Sequence, residues 1–309
     1  MSATQTVKEI LDEFCDRINQ PRESSYVGAT TPAARQYVSL LKYIGDQLLD
    51  FADGWWQLKK TYTFTSVLNQ ANYQLPGDFL RLLTGTQWSV TNQIPLAGPL
   101  SNARLAFQTY GVNIATPFAG WQINGSQGYI VNTSPYTTRS SGYFQISPPG
   151  QDNVTQMVIA YTSCNYVWPQ NWATATSYSL GNLRTGINNI YICTDAITTS
   201  ATRPSVTTGS ETDGDGQWTV YNEPYPITAD TDFVILDSDL FVEGMRWAWY
   251  DAKQQFAMAD RLKASWMSDV RNALGRQQGA ILLNAGYDVT DQWAWPVTPV
   301  GNWSGTGDV

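Results

Sequence analysis

Histidine is absent from all 309 residues. That removes the commonest general base, the commonest metal ligand and every Ser-His-Asp or Cys-His arrangement. Cysteine is scarce. Cys15, Cys164 and Cys193 form an odd set with no Cys-x-x-Cys spacing, so the expectation is reduced thiols rather than a disulfide framework or a zinc site. Charge is thin at 14%, with a net value of −8 and no run of Lys or Arg. A surface that grips phosphate needs clustered bases, so nucleic-acid recognition is not expected. No apolar run approaches the roughly 18 residues of a membrane span. The chain starts polar and turns into an amphipathic helix, unlike a secretory signal. No glycine-rich phosphate loop of the required form occurs.

Aromatic residues are plentiful, with 13 Trp and 17 Tyr. A chain of this length accommodates about two domains and a substantial core. Val7, Ile10, Leu11, Phe14 and Ile18 recur at helical spacing, with Pro21 beyond. Thr31-Pro32 reads as a helix start, a capping oxygen followed by proline in the first turn. Tyr37, Leu41, Ile44, Leu48 and Ala52 then give a second apolar face, ended by Gly54.

From Tyr62 the period shortens. Alternating and continuously apolar runs such as Tyr143–Ile146 and Gln156–Thr162 are punctuated by Gly, Pro, Ser and Asn, a sandwich or barrel pattern. Residues 61–224 hold only 5 basic and 7 acidic side chains, whereas 1–60 and 240–284 together hold 13 and 12. The expected fold class is α+β: a helical domain built from both ends of the sequence, with an antiparallel β region inserted. The boundaries read as N-terminal helices over 1–60, a β-domain over 61–166, a small β-module over 167–224, a return strand and long helix over 225–284, and an extended arm over 285–309.

The long amphipathic stretch from Leu240 to about Leu283 carries most information. Met245, Ala252, Ala259, Trp266 and Ala273 form one row, and Trp249, Phe256 and Val270 the adjacent one, broken by Lys263. One continuous helix there would be on the order of 60 Å long. A stripe of that length needs cover, and the expectation is that the N-terminal helices and neighbouring copies of the same chain supply it. Trp249, Phe256, Trp266 and Val270 are the candidate subunit-packing residues. The basic and acidic side chains along the stretch, from Arg246 to Arg276, read as a mixed-charge face with intrahelical pairs or as inter-subunit bridges. Asp237 and Asp239 stand where carboxylates stabilise a helix start.

Other constellations stay open. Glu211-Thr212-Asp213-Gly214-Asp215-Gly216 resembles the opening of a calcium loop, but the twelfth position is Asn222 rather than a bidentate acid, so a turn is the simpler reading. Trp172, Tyr178, Tyr191 and Trp218 could stack on sugar rings or form the core of a small module. Asp12, Glu13, Asp16 and Glu23 read as a solvated helix face. No carboxylate pair stands out as a hydrolytic centre. Trp293, Trp295 and Trp303 lie in an arm with no element of its own, and tryptophan commonly anchors interfaces.

Two resemblances rest on these residues. Val7–Ile18, Ala33–Leu58 with Gly54-Trp55-Trp56, the element Tyr73-Gln74-Leu75-Pro76-Gly77-Asp78-Phe79-Leu80-Arg81, and the closing helix from Asp239-Leu240-Phe241-Val242-Glu243-Gly244-Met245-Arg246-Trp247 to Arg276 resemble, in that order, the head-to-tail adaptors of short-tailed bacteriophages. Trp172 to Arg184, Ile190-Tyr191-Ile192-Cys193-Thr194, Pro204, Asp213-Gly214 and Trp218 resemble carbohydrate-binding-like modules of phage tail proteins. The first resemblance implies a non-enzymatic virion protein of the neck, made in the bacterial cytoplasm and needing no cofactor. Such a protein forms a ring, commonly of twelve copies, between a portal protein and a tail nozzle or tube protein. DNA passes through the ring without sequence-specific contact. Trp293, Trp295 and Trp303 would then be the portal-docking residues. The second resemblance implies an alternative, a glycan-binding tail component using Trp172, Tyr178, Tyr191 and Trp218.

Overall fold

The computed structural model describes residues 5–51, 55–83, 85–101, 120–124, 130–133, 136–139, 143–147, 149–150, 152–187, 189–198, 200–206 and 209–282, with the backbone alone for 124, 130–133, 136–139 and 277–282. The fold is α+β, as the change of period implies.

Helix α1 spans Val7–Arg17 and α2 spans Pro32–Asp50. Thr6 opens α1 with a reciprocal capping box: its hydroxyl accepts from the Glu9 N–H at 3.2 Å, and the Glu9 carboxylate accepts from the Thr6 N–H at 2.7 Å. Thr31 caps α2 by accepting from the Ala34 N–H. The apolar faces read from spacing are the buried ones, including Ile10, Leu11, Phe14, Leu41, Ile44 and Leu48.

The stretch expected to be one rod is two helices. Helix α3 spans Ser238–Ala252, capped by Asp237, and α4 spans Phe256–Leu282. The break is a Schellman ending. The Gln255 N–H donates to Tyr250 O, the Gln254 N–H donates to Asp251 O, and Gln254 adopts φ +59. These bonds satisfy the last carbonyls of α3 and reverse the chain. Helix α4 then lies back along α3, with Trp266 Nε1 donating to Leu240 O at 2.7 Å. Gly244 permits the approach, since a Cβ there would sit 2.9 Å from Trp266 Nε1 and 2.6 Å from Ile44 Cγ2.

All four helices share one core with Trp55, Tyr166, Val167, Tyr225 and Val234. The N-terminal helices supply cover as expected, and the share assigned to sister molecules is corrected for the buried residues of the stripe. Met245, Ala259, Trp266, Val270 and Ala273 are buried within their own chain.

The inserted part is a set of small antiparallel sheets. Gln156–Ser163 is the spine of the largest. On one side it pairs with Lys59–Thr65 in unbroken register, from Lys59 opposite Thr162 to Thr65 opposite Gln156. On the other it takes Phe79–Leu82 and Trp88–Ser89, and the latter pairs with Ile94–Pro95. A three-stranded sheet of Asn72–Gln74, Tyr143–Ser147 and Gly120–Asn124 contributes to the same core through Tyr73, Phe144, Ile146 and Trp121. Ile130–Thr133 pairs with Tyr136–Arg139. The module is a four-stranded sheet ordered Leu183–Thr185, Ile190–Asp195, Gly216–Val220, Ser210–Asp213. Val167–Trp168 pairs with Phe233–Val234, and the Val7 N–H donates to Asp232 O. The chain therefore re-enters the helical part beside α1.

Candidate functional site

Three places hold the side chains on which the sequence arguments rest. The first is the helical hairpin. Of the four subunit-packing candidates, Trp266 and Val270 are 1% and 0% exposed. They are corrected to internal residues, because the turn at Gln254 folds α4 onto α3 and α2. Trp266 also meets Trp247 and Phe51 at centroid distances of 5.8 and 6.3 Å. Trp249 is half-buried against Phe14 and Tyr37. Phe256 alone is free to meet a neighbour. It is 59% exposed and stands beside Met258, 42% exposed, at the hairpin turn.

One expected intrahelical pair forms among the described residues, Arg246 with Glu243, whereas the charges of α4 do not pair along it. Asp260, Arg261, Asp269, Arg271 and Arg276 are exposed and form no ion pair among the described residues. Lys253 and Lys263 instead cover the Trp249 and Trp247 rings at 4.5 and 4.8 Å. Glu243 holds Arg246 and reaches Arg17, fastening α3 to α1.

The second place is the junction formed by Tyr73 to Arg81. Tyr73 and Leu75 enter the β core, and Arg81 Nη2 donates to Leu49 O near the end of α2. Asp78 is fully buried. Its carboxylate accepts from Lys60 Nζ at 2.8 Å, Tyr161 OH at 2.8 Å and Ser163 Oγ at 2.6 Å. Burial, reinforced by Asp78, raises the Tyr161 phenol far above its usual range. Gly77 leaves room for the Glu223 carboxylate, which packs where a Cβ would project. Desolvation, then the nearby Asp78 charge, raises the Glu223 pKa.

An acid with a raised folded pKa binds protons more readily folded than unfolded. Its unfavourable contribution is present above the folded value and is relieved as pH falls through it toward the unfolded value. Glu223→Gln should therefore raise the urea midpoint at neutral pH. The difference from the parent should shrink as pH falls to about 4. An unchanged difference across that range would contradict the assignment.

The third place is the module. Trp218, Tyr191 and Tyr178 are 0%, 0% and 3% exposed. They are corrected from possible sugar platforms to its core, because the sheet face that carries Tyr191 and Trp218 is packed inside the module with Tyr178, Cys193, Ile197 and Val220. Tyr178 packs edge-on to Trp218 at 5.0 Å, and Tyr191 donates to Val206 O with its phenol pushed up to about 12 by burial. Trp172 is half-buried, and its Nε1 donates to Asp213. Asp213 also accepts from Trp218 Nε1 and from the Ala201 and Thr202 N–H groups. Burial opposes its charge, but these donors outweigh it and lower its pKa.

The calcium-like run is thus a hairpin turn at Gly214, φ +64. Its other acids are engaged too: Asp215 is bonded to Thr198, and Glu211 accepts from the Ser205 and Val206 N–H groups. A glycan array probed with the full chain should show no binding that depends on Trp218, and Trp218→Ala should instead unfold the module. Sugar binding lost in a folded Trp218 variant would reverse that conclusion.

Sequence reasoning missed the buried Asp78–Lys60 pair, whose partners lie 18 or more positions apart. It also missed Asp230, which accepts from the Tyr26 and Val27 N–H groups, and Asp232, which gathers Tyr225, Thr228 and Ala229. Trp293, Trp295 and Trp303 lie outside the described residues. No helix among the described residues is long and apolar enough to cross a membrane. Compared with known proteins, the sequence matches no family model and no curated relative.

Proposed function

We propose that this chain is a structural ring protein of the head-to-tail adaptor kind, joining a portal protein to a tail tube or nozzle. Its work is assembly rather than catalysis. The observation that carries the reading is the exposed Phe256–Met258 tip on a helical hairpin that is otherwise packed into its own domain. Large apolar side chains at a protruding turn supply contact area, and the unpaired charges of α4 set orientation and register toward a neighbour. Helix α4, with 27 residues against 15 in α3, outruns its partner by about 18 Å.

The order of elements also supports the reading. Two helices, an inserted β part and a closing helical segment follow in the sequence on which the adaptor resemblance rests. The net charge of −8 suits a conduit for DNA, since an acidic wall repels phosphate. The glycan-binding alternative loses three of its four rings to the module core.

Residues 285–309 carry the portal-docking role. Removing them should abolish binding to the portal while leaving the circular dichroism and unfolding midpoint unchanged. Phe256→Ser with Met258→Ser should weaken ring formation and alter stability by no more than about 0.5 kcal/mol. Portal binding that survives the truncation, or rings that form normally with the double substitution, would count against the proposal.

A further inference from the structure

Among the described residues of 61–166, five large apolar side chains are exposed, and four of them gather at one end of the largest sheet. Val67, Leu68, Val90 and Val154 are 44%, 52%, 44% and 70% exposed. They lie on three loops that hydrogen bonds draw together. The Ser66 N–H donates to Thr155 O, the Leu68 N–H to Asn153 Oδ1, and the Val90 N–H to Gln156 O. Single exposed aliphatics are ordinary, but a group of them marks a surface built to meet a partner.

The loops are pinned before any partner arrives. Asp152 accepts from Ser66 Oγ, from the Val154 N–H and from both donors of Thr155. These bonds hold its carboxyl well below the usual carboxylate range. Tyr73 OH accepts from the Val67 N–H at 2.9 Å. A surface fixed in advance loses little freedom on binding. It is also uncharged. Residues 66–70, 90–93 and 153–155 contain no acid and no base, and their polar side chains are amides and hydroxyls. A partner that set a charge against such a patch would strip its hydration without compensation, so the patch selects an apolar, uncharged surface.

The turn of the helical hairpin has the same chemistry. Residues 254–259 carry no charge. Phe256, Ala257 and Met258 are exposed there, and the flanking polar residues, Gln254 and Gln255, are again amides. The neighbouring Lys253 is turned onto the Trp249 ring. A closed ring needs two different patches on each copy, because a tip that met only another tip would make an isolated pair. The tip therefore needs a counterpart elsewhere on the chain. The aliphatic loop end of the β-domain supplies one, with an apolar centre and uncharged polar residues at its margin.

We propose that the Phe256–Met258 tip of one copy docks on the Val67, Leu68, Val90 and Val154 loop end of the next copy. The inference rests on the ring reading and deepens it by naming what the tip meets. Each subunit then brings one tip and one seat, so the contact repeats head to tail until the ring closes.

The test mixes full-length chains carrying Val154→Cys with full-length chains carrying Ala257→Cys under mild oxidation, over a range of concentrations, with and without purified phage portal rings. Cys15, Cys164 and Cys193 are buried and stay out of the reaction. The expected result is a disulfide between the two different chains. It should stand in about tenfold excess over a control pairing of Val154→Cys with Ser265→Cys, an exposed position further along α4. Leu68→Cys with Met258→Cys provides a second pair should the first misfold. No excess for either pair under any of these conditions overturns the docking. So does a product dominated by two Ala257→Cys chains joined to each other, since tip would then meet tip. The mass of the unmodified assembly separates the two ideas. Closed rings without the link sink the docking alone, linked open chains that never close sink the ring alone, and chains that stay single throughout sink both.

Discussion

Asp78→Ala should lower stability by about 3–5 kcal/mol, because it strands a buried ammonium. Lys60 is 8% exposed and Asp78 0%, so the lysine cannot recover water without pulling its strand out of the sheet. Tyr161 and Ser163 would lose their acceptor at the same time. Asp78→Asn keeps an acceptor but not the charge, and most of the loss should remain. Removing both charges with Lys60→Met and Asp78→Asn should recover part of it, which a double-mutant cycle measures directly. A loss below about 1 kcal/mol for Asp78→Ala would place the pair among surface bridges, against the observed burial. The Tyr73–Arg81 element was singled out by its sequence, and this pair is the physical reason its aspartate matters. It fixes the β-domain to a strand that begins where the helical part ends.

Trp266→Ala is the second large effect. The side chain is 1% exposed, donates to Leu240 O, and fills the space between Trp247, Phe51 and Gly244. Truncation leaves a cavity lined by rings that cannot collapse, at a cost of about 3–5 kcal/mol. Against the 5–15 kcal/mol typical of a domain, that loosens α4 from α3. Trp266→Phe keeps most of the ring and loses one hydrogen bond, so a smaller loss near 1–2 kcal/mol is expected. Urea unfolding followed by circular dichroism reads both. If Trp266→Ala instead left stability intact and impaired only assembly, the residue would be an interface residue after all, and the hairpin packing would be wrong.

The contrast between Trp266 and Phe256 shows how far the sequence can be read. The heptad spacing identified part of the buried stripe: Met245, Ala259, Trp266, Val270 and Ala273 are buried, whereas Ala252 and Phe256 of the same rows are exposed at the turn. What covers the stripe was legible only in part. The chain reverses at Gln254, a residue with no special liking for φ > 0, where a glycine would have announced the turn. Helices α1 and α2 were legible because both signals were present, an apolar period and, for α2, Thr31-Pro32. In the module, spacing could place Trp218 and Tyr191 on one sheet but could not say whether that face meets water or the module's own loops. The acids of 225–239 show the same limit. Asp237 was readable as a local cap, whereas Asp230 serves Tyr26 and Val27 some 200 positions away. Contacts of that separation leave no period in a single sequence.

Native mass spectrometry of the full-length chain, alone and mixed with purified phage portal rings, tests the proposed assembly role most directly. The account predicts one discrete species on the portal, containing a fixed whole number of copies closed into a ring. A chain that keeps single-copy mass in both samples, with the portal unoccupied, would contradict it.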